Sequence, residues 1–384
     1  MSEFMIAGLL APMSASLGRS EPTTALMVTA FAAAVVLSAP ATSALTVLLR
    51  PKATLVGAMV TFVAAHLVTA LVPVFWVMLV LRLVAGVACA TFLSVGTVTG
   101  VRMVTPAMAP RAISIMVGGL TVSNVVGLPV AAWVGTALGW RAAFWLVAVL
   151  AAAACAVLVW TRIDPAPSTA TGLRQQLVAE VRVLVRPTML ITFAIVIMFQ
   201  AGMFATFTFL QPLTTIVGGV SPSATGGLLA VFGLGTLIGV ALGGAVAHRG
   251  LLRNVTLSLV ATSLTLILLM VLIRQPVLVI GAVVFGFGVS AFSISAALNG
   301  RVFALAGDAP TLASGMNISM LNLGNAIGPA VAGMVISANQ SDYLLAPASS
   351  LGFITMALVG VAAIILTDRR HRTTADQDSL RQHS

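Results

Sequence analysis

The chain consists of long apolar segments separated by short polar breaks. Cutting the sequence at charges, prolines and polar clusters gives eleven long apolar segments, near 23–49, 53–73, 74–100, 109–137, 141–160, 188–210, 223–247, 254–273, 276–300, 311–338 and 345–367. Each is long enough to cross a bilayer, because a span needs about 20 apolar residues of helix. The segments are continuously apolar and show no two-residue alternation, so they predict membrane-spanning helices rather than barrel strands.

Composition supports a polytopic membrane protein. Hydrophobic residues make up 59% of the chain and charged residues 7%, with a mean hydropathy of +1.11. These values exclude a water-soluble surface. The longest polar stretch before the tail, 161–187, predicts a linker between an N-terminal bundle, 1–160, and a C-terminal bundle, 188–367. A polar tail, 368–384, follows.

The basic residues predict the orientation of the chain. Fifteen Lys and Arg residues fall on the side of the linker and three on the opposite side, and Arg82 lies inside a span. Because Lys and Arg are enriched on cytoplasmic loops, the linker and the C-terminal tail are predicted to be cytoplasmic, in a bacterial cell membrane. The basic residues are dispersed over short loops, so the net charge of +10 does not indicate a nucleic-acid partner.

The two halves of the sequence resemble each other. Laying residue i over residue i+200 pairs Gly86 with Gly286 and Gly100 with Gly300, and residues 124–129 match 325–329 one position later. Parallel halves of six helices each predict a substrate site between two bundles that rock about it. We then expect Gly127 and Gly328 to pack closely across the interface. The alternative is chance recurrence of Gly and Pro in glycine-rich helices.

Two segments carry candidate functional residues. Arg82 is the only basic residue well inside a span, and burying it without partners would cost several kcal/mol. It is interpreted as a gate or relay cation, with an arginine extending to the membrane interface as the alternative. Residues 118–145 carry Gly118, Gly127 and Pro129, which predict close packing on one helix face and a bend.

These segments resemble a known family. RLVAGVACA followed by GWRAAFW is similar to the drug:proton antiporters of the major facilitator superfamily, over nearly the whole chain. Within that group, AAHLVTAL (64–71), LGWRAAFW (138–145), FTFLQPL (207–213) and LNLGNAIGPA (321–330) resemble actinobacterial chloramphenicol-resistance exporters. The resemblance implies an all-α integral membrane fold of two six-helix bundles related by a pseudo-two-fold axis. It also implies export of a small, neutral, amide-bearing antibiotic driven by protons.

The family motifs fall on particular residues of this sequence. The arginine motif of the fourth helix matches Arg82 and Gly86, and the antiporter motif of the fifth matches Gly118, Gly127 and Pro129. The loop at 44–55 departs from the family pattern, because it lacks the usual Asp and Gly. Control of the inward gate is therefore expected to be weaker or differently built.

Acidic residues are scarce, which restricts how protons could be carried. Of the nine Asp and Glu residues, all but Glu3 fall in predicted loops or the tail, and Glu3 directly precedes the short apolar stub at 4–15. Glu3 is predicted to be the intramembrane proton carrier, so that its replacement by Gln uncouples export. His66, in the middle of a span, is the other titratable candidate, and a neutral histidine bonded between helices is the alternative reading. In the relatives, about fifteen apolar residues precede such an acid, so a longer N-terminus is expected.

The neutral polar and aromatic residues of the spans predict a cavity for a neutral ligand. The candidates are Asn124, Gln200, Phe204, Thr208, Gln211, Asn299, Asn322 and Asn325, with Gly86, Gly118, Gly127, Pro129, Gly328 and Pro329 as packing and conformational positions. Such a lining suits hydroxyl, amide and aryl groups better than a cation. No nucleotide motif, metal cluster or nucleophile constellation is present in the sequence. We therefore expect a monomeric transporter with no enzymatic activity, metal or cofactor, driven by the proton gradient.

Three alternatives stay open at this point. A sugar exporter or a nucleoside or metabolite exporter of the same superfamily would share these features. So would a non-transporting relative, such as a sensor or an inert remnant, which the short first helix and the missing loop Asp make conceivable.

Overall fold

The structure is a computed structural model that describes residues 2, 5–45, 50–105, 108, 119, 123, 127–163, 183–246, 250–306 and 310–382. Regular structure within these ranges is helical. A 3-10 turn at Met5–Gly8 is followed, in the described residues, by thirteen helices of eight residues or more: α1 Leu10–Leu17, α2 Glu21–Leu45, α3 Pro51–Leu71, α4 Phe75–Arg102, α5 Gly127–Ala137, α6 Trp140–Trp160, α7 Pro187–Thr208, α8 Pro222–Val246, α9 Leu251–Leu272, α10 Val277–Ser293, α11 Ser295–Ala306, α12 Pro310–Ala338 and α13 Leu345–Gln382.

Ten of the eleven predicted spans are confirmed. Ten helical runs among the described residues are long and apolar enough to cross a membrane, and α10 with α11 counts as one of them. They correspond to ten of the eleven predicted segments. Only the last part of the segment at 109–137 is described, and that part is α5. The apolar part of α13 ends at Leu366, and its backbone continues as helix to Gln382.

Local sequence explains where several helices begin and end. Pro51 and Pro187 open α3 and α7 after an extended arginine, because a proline at the first helical position gives up only an N–H that would have no partner there. Gly18 closes α1 with a φ of +60°, and Gly139 joins α5 to α6 with a φ of +88°. Both φ values are ones that glycine adopts without steric cost.

The helices pack into two bundles with matching contacts. In the first bundle α2 packs on α4, α3 on α4, and α3 on α6. In the second, α8 packs on α10, α9 on α10, and α9 on α13. Across the bundles, α2 packs on α12 and α8 on α5. Each of these contacts in one half therefore has its counterpart in the other, as a pseudo-two-fold axis requires.

Close glycine contacts locate the repeat more accurately than the sequence overlay. A Cβ on Gly86 of α4 would lie 2.5 Å from the carbonyl oxygen of Phe31 on α2. A Cβ on Gly288 of α10 would lie 2.5 Å from the carbonyl oxygen of Phe232 on α8. The counterpart of Gly86 is therefore Gly288 and not Gly286. In this region the two halves are offset by one or two residues more than the 200 used in the sequence overlay.

The expected approach of Gly127 to Gly328 is corrected by the structure. The atoms nearest to a Cβ on Gly328 belong to Ala201 of α7, in the same bundle. Gly127, the first residue of α5, belongs to a helix that packs on α8 and α6. The physical reason is the pairing of the helices: α12 presents its small residues to α7, and a different face of α12 meets α2.

Candidate functional site

Arg82 lies in the interior of the first bundle with its polar atoms bonded. The side chain, on α4, is 1% exposed. Its two terminal nitrogens donate to Ser2, Nη1 to the hydroxyl at 3.0 Å and Nη2 to the carbonyl at 2.9 Å. Nε donates to the Met27 carbonyl at 3.5 Å, and the guanidinium lies 4.6 Å from the centre of the Phe31 ring. Arg82 therefore holds together α2, α4 and the chain at Ser2, and does not extend to the membrane interface.

His66 is joined to Arg82 through the hydroxyl of Ser2. The Ser2 Oγ lies 2.6 Å from Nε2 of His66, and Nδ1 of His66 lies 2.8 Å from the Phe62 carbonyl. Because a carbonyl oxygen only accepts, Nδ1 carries a proton, and in the neutral ring Nε2 then accepts from the Ser2 hydroxyl. The three side chains form a continuous hydrogen-bonded chain, which we call the relay: Arg82, Ser2 and His66.

The other motif residues of the first bundle are described only in part. Glu3, Gly118 and Asn124 lie outside the described residues. Pro129 lies within α5, which begins at Gly127. The structure thus brings together Arg82 and His66 of the predicted coupling residues and leaves the position of Glu3 open.

A cavity of about 130 Å³ lies within the second bundle. Of the predicted cavity residues, Gln200 and Asn299 line it, on α7 and α11. Asn317 of α12 also lines it and donates from Nδ2 to Oδ1 of Asn299 at 2.6 Å, while its own Oδ1 is buried without a hydrogen-bond partner among the described residues. The remaining lining is apolar or aromatic apart from Ser295, and it contains no charged side chain in the part of the chain that is described.

Four other predicted cavity residues on α7 and α12 do not line this cavity. Phe204 is buried and stacks edge-on against Phe207, and Thr208 is buried at the end of α7. Asn322 and Asn325 are buried on α12. Asn322 donates to the Ile318 carbonyl of its own helix at 2.9 Å. Sequence identifies such residues as polar within a span, and only packing decides which of them face the open space.

Two helix breaks shape the second bundle. Pro212 cannot donate to the Thr208 carbonyl, so α7 stops at Thr208 and the chain continues as Leu210–Pro212 and a π-helical turn, Leu213–Val217. The run Val277–Ala306 is interrupted at Ile294, beside the cavity. There the Ser293 hydroxyl bonds the Ser290 carbonyl at 2.9 Å, a local bond that competes with the helical ladder.

The bundles are in contact at the end opposite the linker, which we call the far end. The Ala11 N–H, in the first turn of α1, donates to Oε1 of Gln211 at 3.4 Å. This satisfies one N–H that a helix start leaves without an internal partner. Nearer the middle of α2, the Thr29 hydroxyl donates to the Ala326 carbonyl of α12 at 3.2 Å. Pro329 lies within α12, next to Gly328, where it interrupts the helical ladder.

A further far-end contact involves residues that the sequence did not single out as functional. Tyr343, in the connection from α12 to α13, is buried, and its hydroxyl lies beside the Glu21 carboxyl group. Burial, and secondly the interaction with Glu21, raises the pKa of the Tyr343 hydroxyl above its ordinary value, so the hydroxyl stays protonated.

The sequence analysis missed Ser2 and Glu21 as functional residues. Ser2 gives no signal in the sequence, whereas the Ser-Glu-Pro pattern at 20–22 marks a helix start and so places Glu21 at a membrane end.

Comparisons with known proteins agree with this architecture. The Major Facilitator Superfamily profile matches residues 1–301. A chloramphenicol resistance protein of Streptomyces lividans is 34% identical over 371 residues, covering 95% of this chain and 91% of that protein. A Helicobacter pylori (strain G27) protein named "Probable sugar efflux transporter" is 27% identical, covering 92% and 90%.

Among solved structures, a bacterial homologue of the human lysosomal transporter Spinster shares the fold, with a TM-score of 0.75 at 16% identity, covering 96% of this chain and 93% of that one. Three findings lead to one conclusion: the profile matches most of the chain, one relative is more than 30% identical, and the two bundles have matching internal contacts. The chain belongs to the major facilitator superfamily of membrane transporters.

Proposed function

We propose that this transporter exports a small neutral antibiotic of the phenicol type in exchange for protons. The observation that carries the proposal is the uncharged cavity lined by Gln200, Asn299 and Asn317. The buried Oδ1 of Asn317 offers an acceptor to a ligand hydroxyl or amide N–H, and the phenylalanines beside it suit an aryl ring. The similarity to a chloramphenicol resistance protein supports the same substrate class.

Proton coupling is proposed to run through Glu3, Arg82 and His66, with Ser2 joining the last two. The relay supports this role because it contains a buried cation and a titratable ring within one hydrogen-bonded chain. The proton gradient is the energy source, and no cofactor, metal or enzymatic activity is invoked. The protein is proposed to work as a monomer in the bacterial cell membrane, with the linker and the C-terminus in the cytoplasm.

A drug panel tests the proposal. Cells with and without the gene are compared for accumulation of, and susceptibility to, chloramphenicol, florfenicol, arabinose-type sugars, nucleosides and cationic dyes. We expect lower accumulation of the two phenicols only. Equal phenicol accumulation in both strains would contradict the proposal.

A cavity variant adds specificity to this test. Asn317→Leu removes the buried acceptor and the bond to Asn299, and should raise phenicol accumulation toward that of cells lacking the gene, because each lost hydrogen bond costs about 1 kcal/mol. Asn339→Leu is the matched control, since Asn339 is exposed at the far end. Equal export by both variants would exclude this cavity as the drug site.

A sugar exporter is the second candidate. It is favoured by the relative named "Probable sugar efflux transporter", and the amides of the cavity could also bind sugar hydroxyls. In the same panel, a sugar exporter would lower sugar accumulation and leave the phenicols unchanged.

A further inference from the structure

Glu21 is an acidic residue inside the folded protein that the proposed coupling route does not use. It is the first residue of α2, and its side chain is half-buried. Its Oε2 atom is buried and has no hydrogen-bond partner among the described residues. An ionised carboxylate with a buried, unsatisfied oxygen is unfavourable, whereas a neutral carboxyl group tolerates the same place at a much lower cost.

The carboxylate lies where the two bundles meet. The Tyr343 side chain beside it belongs to the second bundle, is 6% exposed and lies 6.4 Å, centre to centre, from the ring of Phe209. The next residue of α2, Pro22, borders Gly333 of α12, where an added Cβ would lie 3.6 Å from the Pro22 Cβ. Separation of the bundles at the far end would therefore remove Tyr343 from Glu21 and admit water to the carboxylate.

Few charged groups surround Glu21 in the part of the chain that the structure describes. The helices α1 and α12, which pack against α2, contain no titratable side chain. In the adjoining turn, Arg19 is exposed, with its guanidinium 5.9 Å from the centre of the Phe75 ring. In the connection from α12 to α13, Asp342 is exposed and accepts the Leu344 N–H at 3.0 Å. Arg82, on α4, bonds α2 at Met27, well over one turn further along.

We propose that Glu21 is a proton-binding site of the far-end gate, protonated while the bundles are in contact there and ionised when they separate. Closing the gate takes the carboxylate out of water and so favours the protonated form. The positive end of the α2 dipole favours the ionised form in both states, and loss of hydration on closing acts in the opposite direction. By linkage, a fall in pH favours the closed gate.

This inference requires a transporter whose bundles separate, and it does not depend on which substrate is exported. The test therefore uses the full chain without drug. Nitroxide labels are attached at Ser16→Cys and Ser337→Cys, two exposed far-end positions in different bundles, after Cys89→Ala and Cys155→Ala remove the native thiols. Electron–electron distance distributions are recorded between pH 5 and pH 9 in lipid nanodiscs.

We expect the short distance to dominate at low pH and a longer one to grow as pH rises, with the ratio changing by up to about tenfold per pH unit for one linked proton. Glu21→Gln, which is nearly isosteric with the protonated form, should keep the short distance at every pH. Asp342→Asn is the matched control and should behave like the wild type.

Two results would overturn the proposal. One is a wild-type distribution that does not change with pH. The other is a Glu21→Gln protein that opens with pH as the wild type does, which would assign the titration to another group.

A second variant tests the partner of Glu21. Tyr343→Phe keeps the ring and removes the hydroxyl, so it should weaken closing at every pH while leaving the direction of the pH effect unchanged. If the drug panel shows no phenicol export but the distances change with pH as expected, the proposed substrate is wrong and the role of Glu21 stands.

Discussion

At the scale of single residues, Arg82 combines charge with a fixed hydrogen-bonding geometry. Its guanidinium donates two bonds to Ser2 and one to Met27 and stacks on Phe31. A lysine would keep the charge but could not donate in this planar arrangement. Hydrogen bonds to charged groups contribute about 1.5–3 kcal/mol each, so the geometry matters as much as the charge.

Arg82→Lys should therefore lower proton-driven export by roughly tenfold or more, since about 1.4 kcal/mol at the coupling step is a factor of ten in rate. The measurement is drug uptake into inverted membrane vesicles after an imposed pH gradient. Arg141→Lys is the matched control, because Arg141 also stacks on a ring, at 4.5 Å from the centre of Trp140, but is exposed. Normal uptake by Arg82→Lys would mean that only the charge is needed.

At the scale of elements, the interruption of α7 directs Gln211 toward the first bundle. Pro212 ends the regular helix, and the π-helical turn that follows is stabilised by Thr214, whose hydroxyl bonds the Leu210 carbonyl at 2.9 Å. In this conformation Gln211 reaches the Ala11 N–H of α1. The break thus connects a local property of proline to a contact between bundles.

Pro212→Ala should straighten α7, because alanine restores the missing donor and is favoured in a helix by about 3 kcal/mol over proline. We expect the far-end labels at Ser16 and Ser337 to show a larger share of long distances, and export to fall. Pro276→Ala is the control, since Pro276 only precedes α10. An unchanged distance distribution would show that Gln211 keeps its position without the proline.

At the scale of the whole molecule, the two bundles are held together internally by the same device. Gly86 lets α4 approach the Phe31 carbonyl, and Gly288 lets α10 approach the Phe232 carbonyl. The four helices concerned are the equivalent pairs of the two halves. Substitutions at the two glycines should therefore have similar consequences, each in its own bundle.

Gly86→Ala and Gly288→Ala should each destabilise the protein by about 1–3 kcal/mol, the usual cost of an added methyl group in a packed interior. The measurement is the midpoint of thermal unfolding in detergent. Gly57→Ala and Gly352→Ala are controls, one in each bundle, because a Cβ there would meet nothing within 4 Å. They should be neutral or gain up to about 1 kcal/mol from helix propensity. A large difference between Gly86→Ala and Gly288→Ala would contradict the equivalence.

The sequence by itself determined the spans, the division into similar halves and the family. Crossing a bilayer depends on the length and polarity of a segment, and both are local properties of the chain. It also identified Arg82 and His66, because a charged or titratable residue in an apolar segment is visible without neighbours.

Only the tertiary structure decided which residues meet. Ser2 joins Arg82 to His66, Gly328 packs on Ala201 and not on Gly127, and among the described amides of the spans Gln200, Asn299 and Asn317 line the cavity. Glu21 was predicted to lie in a loop, and the structure places it beside Tyr343, more than 300 residues later in the chain. Such contacts follow from how helix faces pair across distant parts of the sequence. In lipid every face is similarly apolar, so hydrophobicity alone does not select the pairs, and close packing and hydrogen bonds do.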